Sequence, residues 1–132
     1  MMNNNEFIQM VDKAITNLES QGHPAADTGG NCMYQYEDEA GNVSRCIVGW
    51  MIEDEATRNK ADKCGETLSG LVDRDIWGRH LDSSQKIFLA ILQEEHDSLP
   101  CKEGCFEDAI RDMRYALAKY SKDAYQFIQE NY

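Results

Sequence analysis

Cys32-Met33-Tyr34-Gln35-Tyr36, an acidic stretch from Glu37 to Asn42, and Val43-Ser44-Arg45-Cys46-Ile47-Val48-Gly49-Trp50-Met51-Ile52 decide how this chain is read. The first run alternates and carries two tyrosines, which suits a pleated strand. Gly41-Asn42 has turn composition. Cys46 to Ile52 is almost unbroken apolar sequence, as in a strand buried on both faces. The reading is a β-hairpin over about 32–52. A turn centred near Glu39 would set Cys32 opposite Cys46, a pairing that depends on the turn type. Gly49, inside the apolar run, points to a bulge or to another backbone passing close by.

Upstream, Phe7, Ile8, Val11, Ala14, Ile15 and Leu18 recur at helical spacing. Asn3 can cap that helix, with Glu6 in the capping-box position. Gly22-His23-Pro24 stops it, and 21–31 reads as a linker. Downstream, Glu53-Asp54-Glu55 ends the hairpin and can open a short helix. The stretch to Arg79 reads as one or two short helices with loops. Asp82 can cap the next helix with Gln85 as its box partner, its buried stripe being Ile87, Phe88, Ile91, Leu92 and Leu99. Pro100 stops it. Phe106, Ile110, Met113, Leu117 and Tyr120 then mark another helix, which Ala124, Phe127 and Ile128 continue, with Ser121 as a place where it can break. The short link between these two helices predicts an antiparallel helical hairpin. The fold class is therefore α+β: an N-terminal helix, a β-hairpin, short helices and a C-terminal helical hairpin. All 132 residues are read as a single domain. A lone hairpin is marginal in water, so its apolar strand must pack on the helices or pair with a second chain, which leaves a homo-oligomer open.

Composition narrows the function classes. Thirteen Lys and Arg face 24 Asp and Glu, a net charge of −11. Such a chain is repelled by a phosphate backbone and by anionic lipid, so neither direct nucleic-acid binding nor membrane binding is expected. A basic protein surface is the partner it would attract. The opening residues have no basic region and no apolar core, so no secretory signal is expected. Five cysteines without a signal suggest a reducing cytoplasm.

Catalytic constellations are sparse. Cys101 and Cys105 are the close cysteine pair, and nothing in the spacing of the other cysteines, His80 or His96 selects four zinc ligands. No cofactor is expected, since neither a dinucleotide-binding glycine motif nor a phosphate-binding loop motif occurs. Cys64 beside Lys63 is the better candidate for a reactive thiol, but no motif couples it to a histidine. His96-Asp97, near the end of its helix, is the most suggestive polar pair. It could serve as a ligand or general base, or simply favour the negative end of the helix.

Cys32-x-Tyr34, the Gly-containing acidic turn, Cys46-x-Val48-Gly49-x-x-Ile52 and Glu53-Asp54-Glu55, together with Leu92-Gln93-x-x-His96-Asp97 and Ala118-x-Tyr120, resemble a group of small proteins of tailed phages and prophages. The chain departs from that pattern at Trp50, where the group has a small residue, and in its additional Cys101 and Cys105. The resemblance implies a mobile-element origin and carries no catalytic residue. With the acidic charge it leads to the expectation of a binding protein, not an enzyme, that blocks or diverts a host protein with a basic surface, for instance an inhibitor of a defence system or of a nucleic-acid-handling protein. The contact surface expected is Tyr34, Tyr36, Glu37, Asp38, Glu39, Glu53, Asp54 and Glu55. The alternative is an oligomeric binder of a small molecule or nucleotide signal, with Arg45, His96 and Asp97 at the ligand and Arg45, Arg58, Arg74 and Arg79 the donors available to a phosphate. A third is a small hydrolase or redox enzyme.

Overall fold

In the computed structural model, residues 2–23, 34–64, 68–97 and 105–131 are described. Asn3 caps α1 (Asn4–Gln21), its side-chain oxygen accepting from the Glu6 N–H at 2.9 Å, and Asn3 Nδ2 donates to the Glu6 carboxylate. Gly22, at φ 83°, ends it in the left-handed conformation that a residue without a Cβ adopts freely. The chain then forms an antiparallel pair, β1 (Gln35–Glu37) and β2 (Val43–Arg45), with Gln35 opposite Arg45 and Tyr36 opposite Ser44. Gly41, at φ 84°, closes the turn through Gly41 N to Asp38 O at 3.0 Å and Asp38 N to Asn42 O at 2.9 Å.

The second half of the expected hairpin is corrected. Only Val43–Arg45 is extended. Cys46 becomes an N-cap, its sulfur accepting from the Gly49 N–H at 3.3 Å, and Ile47–Met51 forms the short helix α2. A brief apolar run carries no period that tells a buried helix from a buried strand. Tertiary context decides here. Gln21 of α1 brackets Arg45, its Oε1 accepting the Arg45 N–H at 2.7 Å and its Nε2 donating to the Arg45 carbonyl at 3.1 Å. A side-chain amide thus takes the place of a further strand at that edge, and the chain turns inward. Ile47, Val48, Met51 and Ile52 are then buried where α2 meets α1 and the later helix α5 (Ser83–Asp97). The register also moves: the pairs are centred on residue 40, so Tyr34 rather than Cys32 falls level with Cys46. Cys32 itself lies outside the described residues.

Asp54 opens α3 (Glu55–Cys64), accepting from Thr57 N at 3.1 Å and Thr57 Oγ1 at 2.7 Å. The short α4 (Leu68–Asp73) follows, so the 53–79 stretch holds two short helices as read from sequence. Asp82 and Gln85 form a reciprocal capping box on α5, at 2.8 and 3.0 Å. The last helices are α6 (Cys105–Lys122) and α7 (Ala124–Asn131). The break falls at Asp123 rather than Ser121. Asp123 Oδ1 accepts from Gln126 N at 3.0 Å, whereas the Ser121 hydroxyl bonds back to the Leu117 carbonyl at 2.8 Å inside α6. The α5–α6 link, with Leu99, Pro100 and Cys101, lies outside the described residues, as does most of the 21–31 linker. α6 packs on α1, α5 and α7.

The resulting fold is α+β, and one apolar core draws on every helix described. Its centre is aromatic. Phe7, Phe88, Tyr120 and Phe127 meet with ring centroids 4.4 to 6.2 Å apart, mostly edge to face. A polar seam runs beside them. Wholly buried Gln85 donates to the Met2 carbonyl and to Asn4 Oδ1, both at 3.0 Å, and the Tyr120 hydroxyl reaches Asn4 Oδ1 and Ser84 Oγ, both at 3.3 Å. No helix among the described residues is long and apolar enough to cross a membrane.

Candidate functional site

Two groups of functional interest lie around the hairpin, one acidic and exposed, the other basic and half-buried. At the acidic tip, Glu37, Asp38 and Glu39 are exposed, as are Glu53, Asp54 and Glu55 between α2 and α3. Their roles divide. Asp38 holds its turn, accepting from Ala40 N and Asn42 N at 2.9 Å each and from Asn42 Nδ2 at 3.3 Å. These bonds, the Asn42 N–H first, hold its carboxyl below the ordinary aspartate value. Asp54 is likewise lowered, chiefly by the Thr57 hydroxyl. Both are therefore local structural acceptors. Among the described residues, the side chains of Glu37, Glu39 and Glu53 make no hydrogen bond or ion pair.

The sign of the pH effect follows. A carboxyl whose folded pKa is depressed contributes stability that is present above its unfolded value and is lost as pH falls through the folded value. Acidification below about 4 should therefore loosen the turn and the start of α3 while the core persists. In an NMR titration, the Ala40 and Asn42 amide resonances should move with a midpoint below the reference value of 3.8. Asp38→Asn should abolish that movement; an unchanged titration in the variant would contradict the assignment.

The tyrosines expected at the contact surface are corrected. Tyr34 is only 7% exposed and belongs to the core, and Tyr36 is half-buried opposite buried Ser44. Tyr34 and Tyr36 share one strand face, and that face looks inward. Asp62 of α3 fixes the start of β1 by accepting from Tyr34 N at 2.6 Å and Gln35 N at 3.1 Å. Burial raises its carboxyl above the ordinary value against the pull of these two bonds.

The basic group occupies the opposite strand face. Gln35 Oε1 accepts from both Arg45 Nε, at 3.0 Å, and Arg58 Nε, at 2.8 Å. Arg58 also donates through Nη1 to the Ile52 carbonyl and is 6% exposed. The Arg45 guanidinium lies 4.8 Å above the Trp50 ring, whose indole N–H reaches Gln21 Oε1 at 3.1 Å. Among the described residues, neither arginine has a carboxylate within ion-pair distance. Burial, and then the charge of Arg58, lowers the Arg45 pKa, with Glu55 acting in the opposite direction. Arg45 and Arg58 were legible as donors for a phosphate-bearing ligand; their meeting at Gln35 beside Trp50 was not, because the four residues come from four separate elements.

His96 and Asp97 fall on the last turn of α5, with their side chains outside the described set, as is that of Cys64. One turn earlier, Gln93 joins α5 to the start of α2. Its Nε2 approaches Cys46 Sγ at 3.8 Å, and its Oε1 is buried without a partner. His80 packs edge-on against Trp77 at 5.1 Å, and burial lowers its pKa. No three His, Cys, Asp or Glu side chains gather as a metal site among the described residues.

No protein-family model matches the chain, and no curated protein and no solved structure matches it at a significant level.

Proposed function

We propose that this is an acidic binding protein of phage type, which engages a host protein through a basic surface and blocks or diverts it. One observation carries the reading: among the described residues the Glu37, Glu39 and Glu53 side chains are exposed and unpaired, while Arg45 and Arg58 bond to neutral oxygens of Gln35 and Ile52. The negative field at the hairpin tip is therefore left uncompensated. In a chain of net charge −11, such a field accelerates and orients encounter with a basic surface more than it adds affinity. The turn held by Asp38 presents Glu37 and Glu39 at little entropic cost, and Glu53 stands between α2 and α3. The resemblance to small phage proteins supports a host target and a bacterial cytoplasmic setting.

The test is a combined Glu37→Gln, Glu39→Gln, Glu53→Gln variant, which leaves Asp38 and Asp54 in place and should fold normally. Wild-type protein immobilised in bacterial lysate should retain a basic host protein in a salt-sensitive manner. The variant should associate with that protein roughly tenfold or more slowly at low salt. Equal association rates for the two proteins would dismiss the hairpin tip as the contact surface.

A further inference from the structure

Arg58 is a nearly buried cation with no carboxylate in ion-pair contact among the described residues, although its charge helps lower the Asp54 carboxyl, and a second guanidinium shares its one side-chain acceptor. Burying like charges together without an anion is unfavourable, and structures that retain such a pair normally neutralise it. Here the Glu55 carboxylate acts on Arg45 from outside ion-pair contact. The structural duty of the pair is met by the two Nε groups and Arg58 Nη1. Arg45 Nη1 and Nη2 and Arg58 Nη2 have no protein acceptor, yet they are not among the buried unpartnered atoms, so they reach solvent.

We propose that Arg45 and Arg58, beside Trp50, form a binding site for a phosphate dianion, either inorganic phosphate or the phosphoryl group of a small monoester. Two cations call for about two negative charges, and a phosphomonoester carries roughly −1.5 to −2 near neutral pH. A single guanidinium fork saturates a planar carboxylate, whereas nitrogens arriving from β2 and α3 suit the several oxygens of a tetrahedral anion. Arg58, clamped at Gln35 and Ile52, is the fixed half of the site. Arg45, stacked on Trp50, is the half that closes on the anion. The site is independent of the acidic tip, so either assignment can fail without the other.

The Trp50 indole N–H resonance is the readout, because Arg45 lies over that ring. Titration of the folded protein with inorganic phosphate should move this resonance saturably. A nucleoside monophosphate that binds equally would mark the phosphoryl group alone as the recognised element, and one that binds more tightly would mark a phosphomonoester as the ligand. Arg45→Gln should weaken binding by roughly tenfold or more, the effect of losing charge-assisted bonds. Arg58→Lys keeps the buried charge in case Arg58→Gln does not fold, and it should weaken binding through loss of the fork geometry. Glu55→Gln should tighten binding by removing the opposing carboxylate. Absence of a saturable shift with both phosphate and the monophosphate, acetate binding as tightly as phosphate, or unchanged affinity in Arg45→Gln would each overturn the proposal.

Discussion

Replacing Gly49 by alanine should cost about 3 kcal/mol or more and lower Tm by roughly 10 °C, although only one methyl group is added. A Cβ at this position would stand 2.0 Å from the Tyr34 carbonyl oxygen and 2.9 Å from its carbon. Both are backbone atoms, so no side-chain rotation relieves the clash. Tyr34 cannot retreat easily, because its N–H is held by Asp62 and its ring lies in the core. The strain must shift either α2 or the start of β1. Shifting β1 moves Gln35, the shared acceptor of Arg45 and Arg58, so the variant should also lose order around Trp50. Urea denaturation followed by far-UV circular dichroism measures the first effect, and the Trp50 indole resonance measures the second. A stability within about 1 kcal/mol of wild type would mean that α2 does not press on Tyr34 as described. Gly22, at a positive φ but with nothing near its missing Cβ, is the comparison: Gly22→Ala should show conformational strain alone.

The second large effect concerns Gln85. Its side chain is wholly buried, accepts from Asp82 N, and donates to the Met2 carbonyl and Asn4 Oδ1. Gln85→Leu preserves the approximate volume but strands these partners, and should destabilise by roughly 2–4 kcal/mol. Gln85→Glu separates packing from polarity. It keeps an acceptor for Asp82 N but turns an oxygen toward two other oxygens. At neutral pH it should be less stable than Gln85→Leu, since it buries an unpaired charge. A buried glutamate has a raised folded pKa, so its ionisation costs stability above that value, and the variant should regain stability as pH falls through it. If urea unfolding shows Gln85→Glu to be as stable at neutral pH as wild type, the seam between α1 and α5 is not closed to water as described.

The two substitutions sit at opposite ends of what could be read in advance. Gln85 was visible as a capping-box residue, because Asp and Gln three apart before an apolar stripe form a local pattern that needs only one turn of helix to operate. Its second role, tying α5 to the N-terminus of α1, depends on residues more than 80 positions away and has no local trace. Gly49 was visible as a place of close backbone approach. The element that carries it was misread, since Ile47 to Ile52 is apolar on all sides and its burial leaves no period to count.

The candidate sites show the same division. The acidic residues were identifiable by composition, but only their bonds separate Asp38 and Asp54, which hold a turn and a helix start, from Glu37, Glu39 and Glu53, which hold nothing. Tyr34 and Tyr36 were rightly placed on one face by the period of two. Which face looks inward was decided by the tertiary structure, as the burial of Tyr34 shows. Arg45 and Arg58 were identifiable from sequence as donors to a phosphate, but their pairing was not, because Gln35, Arg45 and Arg58 are joined across two strands and a helix.

By itself, then, the sequence determined what short-range physics determines: the cap at Asn3, the stop at Gly22, the turn at Gly41, the cap at Asp82, and the amphipathic stripes of α1, α5 and α6, each settled within a turn or two of chain. Only the tertiary structure decided where the hairpin ends. Extending β2 past Arg45 would have left Ile47 to Ile52 exposed on an unpaired edge. Folding the run into α2 buries it against α1 and α5, with the Gln21 amide satisfying the last strand residue. That choice is a balance between burial of apolar surface and pairing of backbone groups, and its outcome depends on helices distant in the chain.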